Sequence, residues 1–284
     1  MTAHFVRTTP MPGAVEELFD WHLRPGAFER LAPPWQHTEV VERSGPVADG
    51  STVTLTVPIG PVSVRWISRH REVRRPVGFT DEQLSGPFAS WVHRHRMDAA
   101  GPGASLLTDA VDYTLPLGAL GSVAGASVRR TLARVFAYRH RVTRDDLAAH
   151  ALFRDRPPLH VAITGASGFI GRALGAFLTT GGHRVTRLVR RSPAAGEVRW
   201  YPDGAGDLSP LGAVDAVVHL AGESIAGGRW SVARKEAIRS SRANGSANLV
   251  AALGRLSRPP GVLVAASALG IYGDRGDEPL TETA

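Results

Sequence analysis

The sequence of 284 residues contains no cysteine, which excludes disulfide bonds, thiol nucleophiles and cysteine-ligated zinc sites. It has a single lysine, Lys235, so nearly all of its positive charge comes from arginine. No apolar run approaches the roughly 20 residues that a membrane-spanning helix needs. The N-terminal stretch lacks the basic flank and long apolar core of a secretory signal, which makes the cytoplasm the expected location.

The basic excess is spread along the chain. The formal net charge is +7, a balance that permits contact with nucleic acid, phosphates or anionic lipid. Adjacent arginines occur only as the pairs Arg74–Arg75, Arg129–Arg130 and Arg190–Arg191. Because no binding motif accompanies the charge, the sequence predicts no nucleic-acid partner. The length corresponds to about two average domains.

The first half alternates like a series of hairpins. A strand at residues 3–10 precedes two short helices that break at Pro25 and Gly26, and six alternating or apolar runs follow over residues 37–116. Glycine, proline and aspartate separate these runs, which predicts an antiparallel meander. Residues 128–152 then repeat apolar side chains near helical spacing. An antiparallel sheet curved around one long helix predicts an α+β domain with a cavity for an apolar ligand.

Three histidines of this half leave two interpretations open. His93 and His95 lie two apart on a predicted strand and therefore share a face, and His140 lies on the predicted helix. A metal site needs a third ligand, which the sequence does not make evident. Because Arg94 and Arg96 flank the pair, we interpret the histidines as a polar strand face near the surface or the cavity rim, and predict no metal.

The order of these elements resembles the START-like superfamily, also called the polyketide cyclase or SRPBCC type, which has the helix-grip fold. The resemblance rests on "WVHRHRM" at 91–97, "DAVDYTLPLGALG" at 109–121 and "FAYRH" at 136–140. It implies that residues 1–151 form a domain that binds a hydrophobic small molecule. Residues 152–158 contain two prolines that cannot continue the helix, which predicts a short, stiff linker.

A glycine-rich turn opens the second half. Residues 159–164 read as a buried parallel strand, and an amphipathic helix follows the turn. Gly165 permits a sharp turn, Gly168 lets the backbone approach a pyrophosphate, and Gly171 lets helix and strand pack closely. This placement between strand and helix indicates a dinucleotide-binding turn. The predicted cofactor-binding residues here are Thr164, Gly165, Ser167, Gly168, Phe169, Ile170 and Gly171.

The second strand of this half ends in Arg190 and Arg191. An acidic residue at this point would bind the ribose hydroxyls of NAD, whereas arginine favours the 2′-phosphate of NADP. Surface arginines in an arginine-rich chain are the alternative interpretation. The sequence thus predicts NADP as the cofactor, with NADPH preferred over NADH.

Later strands supply further candidates at the same predicted edge. Asp207 follows the third strand and is a predicted adenine contact. Leu220, Ala221 and Gly222 follow the fourth strand. The small residues in this segment let the backbone pass under a ribose. Ser267 ends the fifth strand. Residues 159–284 therefore predict an α/β Rossmann domain with a parallel, doubly wound sheet.

This half resembles the atypical extended short-chain dehydrogenase/reductases of the NAD(P)-dependent epimerase/dehydratase superfamily, and within it a group named after sugar nucleotide epimerases. The stretches in common are "TGASGFIG" at 164–171, "VDAVVHLAGESI" at 214–225, Arg229-Trp230 with Lys235, Ser241-Arg242, and "SALGIYGDRGDEPLTE" at 267–282. Some members of that group also have an N-terminal START-like domain. The resemblance implies an NAD(P)-binding protein of epimerase or reductase type.

The usual catalytic set of that superfamily is incomplete. It pairs a tyrosine acid–base with a lysine four residues later, and a serine orients the substrate carbonyl. Here Tyr272 is followed by Gly276, and Lys235 lies upstream. Arg242 stands where the resemblance places an asparagine. The candidate catalytic residues are Ser267, Tyr272 and Arg242.

Members of the resembled group continue with further helices, a sixth strand and a small substrate-binding domain. We therefore expect this sequence to be a fragment, or an early-ending reading frame, that lacks the substrate-binding part. Two hypotheses remain: an NADP-dependent epimerase- or reductase-like enzyme with a fused ligand-binding domain, or a lipid- or polyketide-binding module joined to a nucleotide-sensing half without turnover.

Overall fold

A computed structural model describes residues 2–116, 122–203, 207–267 and 272–283. It divides into two compact units. The first unit comprises Met1–Pro157 with Ala176–Gly182, and the second comprises Pro158–Gly175 with His183–Ala284. Within the described ranges, no helix has the length and apolarity required to cross a membrane.

The N-terminal half contains one antiparallel sheet. Its strands are β1 (Ala3–Pro12), β2 (Glu39–Arg43), β3 (Thr52–Ile59), β4 (Val62–Arg74), β5 (Gly78–Ser85), β6 (Ser90–Ala99) and β7 (Ala104–Thr114), and its helices are α1 (Val15–Leu23), α2 (Ala27–Leu31) and α3 (Ser122–Ala151). The strand order is β1-β7-β6-β5-β4-β3-β2. This arrangement confirms the predicted strand, two short helices, six-stranded meander and long closing helix.

Two apolar clusters fill the interior of the first unit. The Trp21 cluster contains Met11, Leu18, Phe19, Trp21, Ala27, Phe79, Met97, Leu107 and Leu147. The Phe136 cluster contains Phe5, Trp91, Val111, Tyr113, Leu132 and Phe136. Strands β1, β6 and β7 and helix α3 each contribute to both clusters, so these elements span the whole interior.

A polar layer separates the two clusters. On β6, Trp91 belongs to one cluster and Met97 to the other, and the buried His93 and His95 lie between them in sequence. On β7, the buried Asp109 occupies the corresponding position, and its neighbours on either side at alternating positions are apolar. The meander therefore buries ionisable groups in the middle of its core, where polar groups are costly unless paired.

The C-terminal half contains one parallel sheet. Its strands are β8 (His160–Thr164), β9 (Arg184–Val189), β10 (Glu197–Arg199), β11 (Ala216–His219) and β12 (Val262–Ala265), and its helices are α4 (Phe169–Thr180) and α5 (Val232–Gly254). The strand order is β10-β9-β8-β11-β12, with every pair parallel. This confirms the predicted Rossmann fold, in which the order reverses beside β8.

The central strand β8 is buried along its whole length, as its uninterrupted apolar composition predicts for a sheet covered on both faces. Ligands of such sheets bind outside the carboxyl ends of the strands at the point of reversal. The glycine turn follows β8 and therefore lies at that point. Residues 268–271, which the sequence places near the end of the fifth strand, lie outside the described residues.

Candidate functional site

The glycine turn is closed by backbone packing at two of its three glycines. Gly165 has φ +66°, and a Cβ added there would lie 2.7 Å from the carbonyl carbon of Leu220. A Cβ at Gly171 would overlap the carbonyl oxygen of Gly165. Side chains at these positions would push the turn away from the strand end after β11 or from the first turn of α4. Both glycines are therefore required by the fold itself.

Gly168 differs from the other two. A Cβ at this position would meet only the carbonyl oxygen of Gly165, at 3.1 Å. Its N–H donates to that same oxygen over 2.9 Å, and its own carbonyl accepts the first helical bond, from Arg172. This contact is tight but much milder than the overlaps at Gly165 and Gly171, and a ligand that approaches the helix N-terminus gives a further reason for a glycine here.

The start of α4 exposes apolar and polar groups together. The side chain of Phe169 is 87% exposed and that of Ile170 is 61% exposed. The first turn of a helix leaves N–H groups without helical partners, and the helix dipole favours an anion there. Ser167 is also exposed directly before the helix. These predicted residues are thus brought together around one helix N-terminus.

Thr164 lies beneath the turn. Its side chain is fully buried, and its hydroxyl oxygen accepts hydrogen bonds from the backbone N–H groups of Leu220 and Ala221, each over 3.1 Å. The hydroxyl hydrogen is therefore directed to Nδ1 of His219, 2.6 Å away. This assignment makes Nε2 of His219 the nitrogen that donates to Ser246. Thr164 joins the ends of β8 and β11, and its contact with a cofactor stays a prediction.

Helix α5 holds the segment after β11. The hydroxyl of Ser241 accepts a hydrogen bond from the N–H of Glu223, and the guanidinium of Arg242 donates to the carbonyl of Glu223 over 3.1 Å. A Cβ at Gly222 would lie 3.4 Å from that guanidinium. The predicted catalytic Arg242 is therefore engaged with backbone beside the predicted cofactor segment at Leu220, Ala221 and Gly222.

The two predicted phosphate-binding arginines have different surroundings. Arg191 forms an ion pair of 2.7 Å with Glu197 and donates to the carbonyl of Ser192. Arg190 instead lines an open cleft of about 710 Å³ between the carboxyl ends of β9 and β10 and helix α5. Tyr201 and Asn244 also line this cleft. Arg190 is the better placed of the two to bind a phosphate.

Asp207 lies at the opposite edge of the sheet from the glycine turn. Its carboxylate accepts hydrogen bonds from the N–H and the hydroxyl of Ser209, and so caps a short 3-10 helix at Ser209–Leu211. It lines a second cleft together with Gly212 and Ala213, which precede β11 and hence mark its amino end. The structure does not bring Asp207 together with the other predicted cofactor residues, because the chain has already crossed back under the sheet.

Ser267 and Tyr272 follow β12. Ser267 is exposed, and the preceding Ala266 donates its N–H to the carbonyl of His219, which keeps the chain beside the end of β11. Tyr272 is half-buried. Both residues thus follow the strand whose carboxyl end adjoins the site, and their catalytic roles stay predictions.

The interpretation of the three histidines as a polar strand face near the surface or the cavity rim is wrong. His93, His95 and His140 are only 3%, 9% and 1% exposed. Alternation on β6 places His93 and His95 on the inward face, and the flanking Arg94 and Arg96 on the outward face. The histidines surround Asp109, which is itself only 3% exposed.

Strong electrostatic coupling follows from this burial. Burial and the charge of His95 lower the pKa of His93 to about 4. Burial acts to lower the pKa of His95 as well, but the charge of Asp109 and contacts with both aspartates outweigh it and raise the pKa to about 9. Burial likewise opposes ionisation of Asp81, yet hydrogen bonds from His70 and His95 hold its pKa below the usual range.

Sequence reasoning missed Asp81 and Asp109. A signal for both was present, because Asp109 alternates with Leu107 and Val111 and Asp81 lies two residues from Phe79. Aspartate at an inward position of an otherwise apolar strand face is unusual. Such a position predicts a paired, buried carboxylate.

Comparison with known proteins separates the two halves in the same way. Residues 11–137 match the family model for polyketide cyclase/dehydrase and lipid transport, and residues 161–284 match the model for the NAD-dependent epimerase/dehydratase family. The crystal structure of a nucleoside-diphosphate sugar epimerase from Corynebacterium glutamicum is 35% identical, with a TM-score of 0.80. The similarity covers 99% of this chain and 58% of the chain of that epimerase.

Two curated relatives each match less than half of this chain. Epimerase family protein Mb2239 of Mycobacterium bovis is 44% identical over 125 residues, which are 43% of this chain and 40% of the relative. Epimerase family protein YfhF of Bacillus subtilis is 35% identical over 129 residues, 44% of this chain and 42% of the relative. The chain therefore spans less than half the length of these relatives. Each half of the chain is thus similar to a different family, the first to the polyketide cyclase/dehydrase and lipid transport family and the second to the NAD-dependent epimerase/dehydratase family.

Proposed function

We propose that the second unit binds NADP(H) at the carboxyl edge of its parallel sheet, as the cofactor-binding part of an epimerase- or reductase-like enzyme. The observation that carries this proposal is the glycine turn beside β8. Gly165 and Gly171 are needed by the fold, whereas Gly168 leaves space where a pyrophosphate would meet the N-terminus of α4. The turn lies at the point of strand reversal, where sheets of this kind bind their ligands.

The choice of NADP over NAD is supported by Arg190. The segment after β9 is where a dinucleotide's adenosine ribose binds in this fold, and an arginine there suits a 2′-phosphate. Arg190 lines the open cleft with Tyr201 and Asn244. An arginine–phosphate contact is charge-assisted and is worth about 1.5–3 kcal/mol.

Substitution of Gly168 tests the proposal. In Gly168→Val the branched side chain occupies the space reserved for the pyrophosphate, so we expect NADPH affinity, measured by calorimetry, to fall by about 100-fold or more. Gly254→Val is the matched control, because a Cβ at Gly254, the last residue of α5, meets nothing within 4 Å. If Gly168→Val binds NADPH with native affinity, the turn has a structural role only.

For the first unit we propose binding of a hydrophobic small molecule such as a lipid or a polyketide. Its sheet and helix α3 form the framework that the family model describes for polyketide cyclases and lipid transport. Saturable binding of an environment-sensitive apolar dye to the full chain, displaced by lipids or aromatic polyketides, is the expected result. A folded chain that shows no saturable binding contradicts this role.

A non-catalytic binding module is the second candidate function. It is favoured by Gly276 at the position of the usual lysine and by the exposure of Lys235 near the start of α5. General acid–base catalysis contributes about 10²–10⁴-fold to rate, and the described residues include no tyrosine–lysine pair at the required spacing. NADPH consumption over a panel of carbonyl compounds and sugar nucleotides distinguishes the two: binding without turnover supports the module.

A further inference from the structure

Three side chains of the polar layer converge on one point. Asp81 on β5 and His93 and His95 on β6 each offer one ligand atom, and these atoms all lie within 4.8 Å of one another. Strand pairing produces this convergence, since Asp81 lies directly opposite His93 and the two histidines share a face. Two imidazoles and one carboxylate form a set that binds transition metals such as zinc and iron.

The distances between these atoms are close to those of a coordinated ion. Nε2 of His95 lies 3.3 Å from Oδ2 of Asp81, and Nδ1 of His93 lies 3.9 Å from the same oxygen. Bond lengths of about 2.0–2.2 Å in a tetrahedral zinc site place neighbouring ligand atoms about 3.3 Å apart. Of the three pairs, one therefore already has this separation and a second needs to shorten by about 0.6 Å, while the two histidine nitrogens lie within 4.8 Å of each other.

The opposite nitrogens of both imidazoles face a second carboxylate. Nε2 of His93 lies within hydrogen-bonding distance of Oδ1 of Asp109, at 2.8 Å, and Nδ1 of His95 lies 2.8 Å from that same oxygen. Each ring thus has one nitrogen at Asp109 and the other at Asp81. Metal-ligating histidines commonly donate a hydrogen bond from their second nitrogen to a carboxylate, which fixes the ring's orientation and raises its basicity. His93 has such a hydrogen bond with Asp109, whereas Nδ1 of His95 is close to that carboxylate without hydrogen-bond geometry.

Further contacts fix the two carboxylates. Oδ2 of Asp109 lies 2.7 Å from Nε2 of His140, whose Nδ1 lies 2.7 Å from the hydroxyl of Thr9. Oδ1 of Asp81 lies 2.5 Å from Nδ1 of His70. The remaining oxygen of Asp81 is the one that faces His93 and His95. The surrounding network therefore leaves the three convergent atoms directed at each other.

A purely structural role explains this arrangement poorly. Two carboxylates inside an apolar interior carry a large desolvation cost, and a buried ion-pair network is often no more stabilising than apolar side chains of similar size. The neighbouring inward positions on β6 and β7 are apolar and pack well. A bound cation offsets the negative charge of the two carboxylates.

We propose that Asp81, His93 and His95 bind one divalent transition-metal ion, of which zinc is the best fit. Three protein ligands leave at least one coordination position for water or for an oxygen atom of a bound ligand. The side chain of Asp81 is 22% exposed, whereas those of His93 and His95 are 4% and 8% exposed. The ion is therefore accessible from the side of Asp81.

Titration of the full chain with Co²⁺, after dialysis against EDTA, tests the proposal. We expect saturable binding of one Co²⁺ per chain, with visible absorption bands typical of a four- or five-coordinate ion, and competition by Zn²⁺ but not by Mg²⁺. Because the ion binds the folded state, a Co²⁺ concentration about 100-fold above Kd raises Tm by about 5 °C. This thermal readout needs no variant.

Matched variants locate the site. Asp81→Asn and His95→Asn each remove a ligand, and we expect at least a 100-fold loss of Co²⁺ affinity and loss of the absorption bands. Asp109→Asn removes no ligand but weakens the contacts that orient the rings, and lowers affinity by about 10- to 100-fold. The control is His4→Asn, which breaks an exposed histidine–aspartate pair of 2.6 Å with Asp112 on the same sheet. Its Co²⁺ affinity stays unchanged.

Circular dichroism of each variant establishes that the chain is folded. NADPH binding, measured in parallel, separates this site from the proposed function of the second unit, since loss of Co²⁺ leaves the NADPH affinity unchanged. If wild type binds no Co²⁺, or binds it no more tightly than the folded Asp81→Asn variant does, the cluster is an ion-pair network and the proposal is overturned.

Discussion

Both units bury histidines, and three of those in the first unit differ in their partners from those in the second. In the second unit, His160 begins β8 and His219 ends the adjacent β11. His160 contacts the carbonyl of Ala213 and the hydroxyl of Thr186, and His219 contacts the hydroxyl of Thr164. These partners are neutral. In the first unit the buried His22 likewise contacts a neutral group, the carbonyl of Leu18, but His93, His95 and His140 meet a carboxylate instead.

The charge of the partner decides what a buried histidine can do. Burial alone lowers the pKa of His219, so this ring is neutral at pH 7 and serves as a fixed hydrogen-bonding link between strand ends. For His95, the charge of the neighbouring Asp109 outweighs the effect of burial, and the pKa rises to about 9. A histidine with neutral partners is a fixed hydrogen-bonding group, whereas the histidines around Asp109 form a charged centre.

Removal of the central carboxylate is expected to have the largest effect. In Asp109→Asn, measured without metal, the charge that stabilises protonated His95 is lost while the ring stays buried. Breaking a buried ion pair from one side costs about 3–5 kcal/mol of unfolding free energy. Asp112→Asn is the matched control on the same strand, because Asp112 forms exposed ion pairs with Arg94 and His4, which contribute about 0–1 kcal/mol each.

Urea unfolding of the full chain, with peptide-level hydrogen exchange to follow each unit separately, measures both variants. We expect exchange to quicken in the first unit of Asp109→Asn and to stay unchanged in the second. Equal stability of Asp109→Asn and Asp112→Asn would remove the distinction between the two kinds of buried histidine.

A smaller loss of stability is expected in the second unit when the Thr164 hydroxyl, which links the ends of β8 and β11, is removed. Thr164→Val removes the hydroxyl that accepts hydrogen bonds from the N–H groups of Leu220 and Ala221 and donates to His219. The two N–H groups and the imidazole then stay buried without this partner. The cost of unsatisfied buried groups of this kind is about 1–3 kcal/mol. Thr164→Ser retains the hydroxyl and is expected to recover most of the loss in the same urea measurement. A valine variant as stable as wild type contradicts the assigned role of Thr164.

Sequence patterns were sufficient for the fold of both units because the fold depends on periodicity. The alternation along β7 and the apolar run of β8 each follow directly from which faces are buried. The glycine turn was equally readable, since the spacing of its glycines lies within a few residues and Gly171 packs against the backbone of Gly165 and Ala166. These features depend on residues close together in the chain.

The polar layer was not predicted because it depends on strand register. Asp81 lies opposite His93, and His95 lies opposite Asp109. A shift of one residue in either pairing would turn these side chains to opposite faces. The composition of the connecting turns does not reveal which register the strands adopt. The position of Asp207 beside Gly212 and Ala213, before β11, was likewise not readable from its proximity to a predicted strand.

A smaller effect is expected on cofactor affinity when the arginine that lines the open cleft of the second unit is replaced. Arg190→Ala removes the guanidinium that lines the cleft, and we expect NADPH affinity to fall about tenfold, or about 1.4 kcal/mol, with NADH affinity unchanged. Arg191→Ala is the control, because Arg191 is already paired with Glu197. Calorimetric titration of both cofactors measures the difference. A loss confined to Arg191→Ala would reverse the assignment of the phosphate-binding arginine.

The smallest expected effect is a pH dependence that arises from His219. Burial lowers the pKa of this ring in the folded state, while in the unfolded chain it titrates near 6.5. As pH falls below about 6.5, the unfolded state takes up a proton that the folded state does not, so the contribution of His219 to stability is present at pH 7.5 and is lost toward acid pH. We expect His219→Asn to reduce the difference in second-unit stability between pH 7.5 and pH 5.5, as followed by hydrogen exchange and urea unfolding. An unchanged difference would show that His219 is as free to ionise in the folded state as in the unfolded one. The contrast with the carboxylate-bound histidines of the first unit would then rest on the first unit alone.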